Sequence, residues 1–191
     1  MRKTKEEAAR TRERIVEAAA ARFRENGIDA TGLSDLMAAA GLTQGGFYRH
    51  FQSKDKLTAE AFASAVVSEL QWIAGPPSAK GNAMEALAAS YLSAAHRDDR
   101  AGGCPFAALG SEVVRSSVEV REVATKGLLE IIELIAPRFG NVPSDVAKQQ
   151  ALVAFSAMVG AMTLARMVTD SELSDRLLRD ASRQIGAAAQ R

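Results

Sequence analysis

Thr43, Gln44, Gly45, Gly46, Tyr48, Arg49, His50 and Lys54 fall in one short run of the chain. Their types suit a nucleic-acid surface. A glutamine amide makes paired hydrogen bonds to the edge of adenine. Tyrosine, histidine and lysine supply donors to phosphate oxygens, and Arg49 suits either a phosphate or a base. Phosphate contacts fix register on a duplex, and base contacts specify sequence. Gly45 and Gly46 each cost a helix roughly 1 kcal/mol against alanine. Two together at an exposed helix start need a reason. Without side chains they let the backbone approach DNA, or they relieve crowding in the turn. His50 by itself reads as an ordinary surface or core histidine; its neighbours give it weight.

These residues need a scaffold, and the flanking pattern predicts one. Ile15, Ala19 and Phe23 share a face of a helix over about Ala8 to Glu25, which Asn26-Gly27 stops. Thr31-Gly32 precedes a short helix, Leu33 to Ala40, with Leu36 and Met37 inside. Gly41 turns the chain and Leu42 plugs the corner. Thr43 then caps a second short helix, Gln44 to about Phe51, with Phe47 and Phe51 toward the core. Two short helices joined by a glycine-containing turn form a helix-turn-helix. The second helix of such a unit enters the major groove, its N-terminal residues at the base edges. Helix N-termini also receive phosphates, which adds Thr31 to the candidate DNA-facing set. Ser53 caps a long helix from Lys54 toward Ile73, broken by Gly75-Pro76-Pro77.

Composition agrees with an all-α protein. The 191 residues are 47% hydrophobic, 25% charged and only 5% aromatic, and alanine is abundant. That length holds one large domain or two modest ones. The net charge of +1 carries no nucleic-acid signature, but its distribution is uneven. Arg2, Lys3, Lys5, Arg10, Arg12 and Arg14 outweigh Glu6, Glu7 and Glu13, leaving a positive arm or a plain solvated terminus. The lone cysteine, Cys104, excludes an internal disulfide framework and fits a reducing cytoplasm. The charged start of the chain lacks a secretory signal pattern. The longest charge-free stretch, Gln149 to Ala165, is short for a membrane span of ~20 residues and reads as a buried helix. No cofactor and no metal site is expected.

The segment from Thr11 to Phe62 resembles the DNA-binding region of the TetR family of transcription regulators. The matching residues are Arg14-Ile15, Ala18-Ala19, Phe23, Asn26-Gly27, Ala30-Thr31, Asp35-Leu36 and Ala40-Gly41-Leu42. The run Gly45-x-Phe47-Tyr48-x-His50-Phe51-x-Ser53-Lys54-x-x-Leu57 completes them. The resemblance implies that Gln44 and Gly45 meet bases, and that Thr43, Tyr48, His50 and Lys54 meet phosphates. Met37 stands where the family often has a small residue, and Gly46 where it often has a hydroxyl. Those departures put in doubt the spacing of the two short helices and one DNA contact.

The resemblance further implies a helical sensor domain and a homodimer that joins its last two helices as a four-helix bundle. The division expected is 1–53 for DNA binding and 54–191 for sensing and dimerisation, with about nine helices in all. The helices expected beyond Pro77 run from about Asn82 to His96, Pro105 to Arg115, Val118 to Phe139 (its regular part ended by Pro137), Pro143 to Val168, and onward from Ser171. Ala154, Ala157, Ala161 and Ala165 form a small-residue stripe, with Phe155, Met158 and Met162 around it. With Leu173, Leu177 and Leu178 they are the candidate dimer interface, or else an ordinary core. Phe62, Val66, Trp72, Tyr91, Cys104, Phe106, Met158 and Met162 are candidates for an effector pocket, against plain core roles.

Cys104 lies in Gly102-Gly103-Cys104-Pro105 beside a predicted helix start, which lowers a thiol pKa. Similar Gly-Cys-Pro segments occur in some members of the family. A redox or electrophile sensor and a buried packing cysteine both remain open. The expected function is a ligand-responsive repressor binding a near-palindromic operator, with double-stranded DNA, a second copy and an unknown small effector as partners. No membrane partner is expected. A cysteine-nucleophile enzyme has only His50 and His96 to draw on, with no third orienting group. A helical interaction module that does not bind DNA is the other rival.

Overall fold

The computed structural model describes residues 5–75 and 82–189; Arg2, Lys3, Pro76 and Pro77 lie outside them. Among the described residues there are nine α-helices, two short 3-10 turns and no strand. Helix α1, Lys5–Asn26, buries Ile15, Ala19 and Phe23 on one stripe. Gly27 ends it at φ 92°, a left-handed conformation that favours glycine. Helix α2, Leu33–Ala39, is followed by Gly41 at φ 71°. The next segment, Gln44–Arg49, is a single tight 3-10 helix, shorter than the expected helix to Phe51. Thr43 begins it without a side-chain cap, and Gly32, not Thr31, begins α2. Ser53 accepts from the Lys56 amide and opens α3, Lys54–Ala74, as expected.

The helix expected over Asn82–His96 is two. Helix α4, Ala83–Tyr91, ends where Leu92 leaves helical geometry at ψ 45°. Ser93 then caps α5, Ala94–Asp98, by accepting from the His96 amide. Helix α6, Pro105–Val113, starts with proline at its first position, where the missing N–H costs nothing. Helix α7, Val118–Ile135, gives way to a 3-10 turn, Ala136–Phe139, that contains Pro137. The last pair is α8, Ser144–Met167, and α9, Ser171–Ala188, the latter capped by Asp170.

Two apolar cores share three helices, α3, α6 and α7, the last giving Val120 to one and Ile131 to the other. One gathers Ile15, Phe23, Leu36, Phe47, Phe51, Leu57 and Phe62 under the first three helices. The other gathers Tyr91, Cys104, Ile131, Phe155, Met158, Met162 and Leu178. Helix α3 gives Leu57 to the first and Ile73 to the second; α6 gives Leu109 to the first and Ala107 to the second. Aromatic rings link them edge to face: Phe62 to Phe106 at 5.5 Å, Phe106 to Phe155 at 5.7 Å, Phe155 to Tyr91 at 6.3 Å. A Cβ on Gly127 of α7 would lie 2.6 Å from Val66 Cγ1, so α3 and α7 meet at a distance only glycine permits.

The small-residue stripe of α8 is corrected by this packing. Ala154, Ala161, Ala165, Phe155, Met158, Met162 and Leu178 are buried in the chain's own core, while Leu173 and Leu177 are half-buried. Of the expected α8 interface residues only Ala157 is exposed. The face of α8 left open carries Leu152, Val153, Ser156, Gly160, Leu164 and Met167. Small residues permit close approach, and here α9 and the chain's other helices use it. Helix α8 is long and apolar enough to cross a membrane, yet α6, α7 and α9 pack against it.

Candidate DNA interface and sensor cavity

Phe47 and Phe51, both buried, stack at 5.7 Å and anchor the 3-10 segment from beneath. That anchoring turns Thr43, Gln44, Gly45, Tyr48 and Arg49 outward. Tyr48 is 73% exposed, its ring edge-on to Phe47 at 5.1 Å. Among the described residues the side chains of Gln44 and Arg49 find no partner in the chain. A Cβ on Gly45 would meet nothing within 4 Å, and one on Gly46 would meet Met37 Cε at an ordinary 3.6 Å. Neither glycine has positive φ. Internal crowding therefore does not explain the pair.

Other expected contacts are placed differently. Thr31 is buried, and its hydroxyl donates to the Gly27 carbonyl at 2.6 Å, so its place in the DNA-facing set is corrected. Lys54 Nζ donates to the Ile28 carbonyl at 2.6 Å. An ammonium has two further donors, but this one starts from a fixed position. His50 is half-buried, and its carbonyl accepts from Arg12 Nε at 3.4 Å. Arg12 is not a free basic arm: it pairs with Glu60, which raises its pKa, and sits 4.4 Å over the Phe51 ring. Arg14 donates to the Ala40 carbonyl and ties α1 to the turn.

At the other core, a cavity of about 440 Å³ is lined by Glu69, Trp72, His96 and Asp99, among others. Glu69 is 5% exposed, and its Oε1 has no hydrogen-bond partner; neither has the buried Tyr91 hydroxyl. Burial pushes the Glu69 carboxyl up to about 7, against the pull of Cys104 and Arg24. The Cys104 thiol goes up to about 12, through burial first and the negative Glu69 second. The helix-start expectation of a lowered thiol pKa is thus reversed. His96, held low by burial, takes the Cys104 amide on Nε2 at 3.0 Å and has Nδ1 2.7 Å from the Tyr91 carbonyl. Of the expected pocket residues, Trp72 lines the cavity and Tyr91 and Cys104 lie beneath it. Phe62, Val66, Met158 and Met162 are packed core, and Phe106 bridges the two cores. Glu69 was not foreseen, although it sits in the apolar stripe Ala61, Ala65, Glu69, Ile73.

Polar ties join the two regions. Glu112 Oε2 of α6 accepts from the amides of Ile28 at 2.7 Å and Asp29 at 3.0 Å. Arg24 Nε of α1 donates to the Ala101 carbonyl at 2.6 Å.

Residues 15–61 match the model of the bacterial regulatory proteins of the tetR family, and residues 81–184 match the LmrA/YxaF-like transcriptional regulator C-terminal domain. The chain belongs to the TetR family. As a TetR-family protein it is a DNA-binding transcriptional regulator, a class without catalytic activity, which removes the enzyme reading. A TetR regulator of Chloroflexus aurantiacus has the same fold, at 30% identity, 96% coverage of both chains and a TM-score of 0.78. An uncharacterized HTH-type regulator of Mycobacterium tuberculosis is 29% identical over 188 residues, 88% of this chain and 92% of its own. A probable acrEF/envCD operon repressor of Escherichia coli is 42% identical over 55 residues, 29% of this TetR-family chain. This chain spans only 25% of that repressor's length.

Proposed function

We propose that this regulator is a repressor that binds a near-palindromic operator as a homodimer and is released by a small-molecule effector. The observation that carries it is the edge on which Thr43, Gln44, Gly45, Tyr48 and Arg49 are exposed, the side chains of Gln44 and Arg49 have no internal partner, and Phe47 and Phe51 anchor the segment from beneath. Gln44 and Gly45 read bases; Thr43, Tyr48, His50 and Lys54 take phosphates; Arg49 serves either; Gly46 lets the backbone close in. Lys54 stays on Ile28 and offers its remaining donors. Repression is supported by the 55-residue likeness to the Escherichia coli repressor. The DNA-binding unit ends near residue 53, with α3 running into the sensing unit.

One small helix-turn-helix makes few contacts, so two copies related by a two-fold axis serve better, half-sites ~34–36 Å apart. The open face of α8 around Val153, Ala157 and Gly160, with α9, is the surface for the partner. The effector enters the cavity beside Trp72 and Glu69. The protein works in the cytoplasm, where one free thiol stays reduced.

Binding-site selection from random DNA, followed by footprinting, tests the proposal. The expected site is an inverted repeat; a footprint without symmetry sinks the dimer model. Gly45→Leu, entering open space, leaves the fold intact and changes stability by no more than about 1 kcal/mol, in the stabilising direction. It lowers operator affinity by about tenfold or more, the loss of a good base contact. Undiminished affinity would remove this edge from recognition.

A further inference from the structure

A second cavity, of about 640 Å³, lies where α1, α5, α6, α8 and the start of α9 meet. Arg24, Arg97, Arg100 and Arg166 line it, against Asp98 as the one lining carboxylate. Arg97 is satisfied: it pairs with Asp98 at 2.8 Å and Asp175 at 2.7 Å. The other three have no carboxylate partner within salt-bridge distance among the described residues. Arg166 has only backbone acceptors, the carbonyls of Arg97 at 3.0 Å and His96 at 2.8 Å, with Asp99 at 3.4 Å. Arg24 uses Nε on Ala101, and its buried Nη1 has no acceptor at all. Arg100 is exposed and makes no ion pair among the described residues.

Burial lowers the pKa of both Arg24 and Arg166, against the opposing pull of Glu69 and Asp99 on Arg24 and of Asp99 on Arg166. A buried donor without an acceptor is costly, and what is missing is an oxyanion. Guanidinium groups fork onto carboxylate and phosphate oxygens alike. Thr163 and Ser171 add hydroxyls at the rim, and Ala107 and Val168 give an apolar wall. We propose that this junction cavity binds a small organic anion, a carboxylate or a phosphate ester, between Arg24, Arg100 and Arg166. The site is separate from the Glu69 cavity. It draws one arginine from the DNA-binding unit and one from α8, so an occupant that prefers one placement of the two units biases the protein toward it.

The test is calorimetric titration of the full chain with phenyl phosphate, benzoate and neutral benzyl alcohol at constant ionic strength. Saturable binding of at least one anion and none of the alcohol is expected; which anion binds separates the two sources. Arg24→Gln weakens binding by about tenfold or more, as loss of a charge-assisted bond does. Arg100→Ser, at an exposed side chain without internal partners, weakens it severalfold and keeps the test sound if Arg24→Gln fails to fold. Arg179→Ser, the same charge loss on an exposed position of α9, leaves affinity unchanged. Three results would each overturn the site: no anion binding, equal binding of the alcohol, or an Arg100→Ser affinity equal to that of Arg179→Ser. Operator binding by the same variants is read separately, so loss of the anion site and loss of DNA recognition are told apart.

Discussion

The two ends of this molecule are unfinished in opposite ways. At the DNA-binding end the interior is complete: Phe23, Phe47 and Phe51 fill it, and the groups without partners stand outside. In the second core and at the junction the groups without partners are inside: Glu69 Oε1, the Tyr91 hydroxyl and, from α1, Arg24 Nη1 are all cut off from water. A surface that reads a long, charged polymer must be rigid beneath and open above. A site that answers a small molecule does better with polar groups whose hydrogen bonds wait for a ligand. The cost of keeping them unpaired in the free protein is what binding recovers.

The largest effect that bears on this contrast is at Phe47. Phe47→Ala should cost roughly 3–5 kcal/mol and abolish operator binding together with the fold of that end. Gln44→Ala should leave the melting temperature unchanged and weaken only operator binding. Equal destabilisation by the two, in paired thermal unfolding, would break the distinction between filled interior and open edge.

An effect of middle size comes from Glu69. Its carboxyl rises from 4.5 to about 7 on folding, so the folded state holds a proton the unfolded state has released. Its contribution is therefore fully present below pH 4.5 and is lost as the pH rises through about 7. Glu69→Gln should flatten that decline. His96, lowered by burial, gives the opposite slope in both proteins, so the difference isolates Glu69. Urea midpoints across this range, parallel for the two proteins, would show that Glu69 is already satisfied.

The smallest effect sharpens how the ends communicate. Glu112→Ala removes the acceptor of two amides and should cost about 1–3 kcal/mol. Amide exchange at Ile28 and Asp29 should quicken while that of the α7 core stays slow. Unchanged exchange at those two amides would assign their protection to packing and not to α6.

The DNA-binding end was legible because its signals are local. A glycine after α1, Gly41 in the turn and paired phenylalanines four apart fix both the turn and the outward edge. Tertiary contacts were not. Thr31 has the type of a cap or a phosphate ligand, yet its hydroxyl turns back to Gly27, four residues earlier. The break at Leu92 carries neither glycine nor proline, and only the Ser93 cap marked it. The alanines of α8 announced close packing without saying whose helix would come close. Glu69 offered a readable sign, a lone carboxylate in an apolar stripe, whereas Arg24 and Arg166 resemble any solvent-facing arginine until their surroundings are known.

The Val66–Gly127 contact makes α3 a see-saw. The two helices cannot come closer there, so a rigid tilt of α3 would turn about that point. Lys54 lies twelve residues from Val66 and Ala74 eight, which gives arms of about 18 Å and 12 Å at 1.5 Å per residue. Such a tilt would return a small displacement at Ala74 about one and a half times larger, and in the opposite direction, at Lys54.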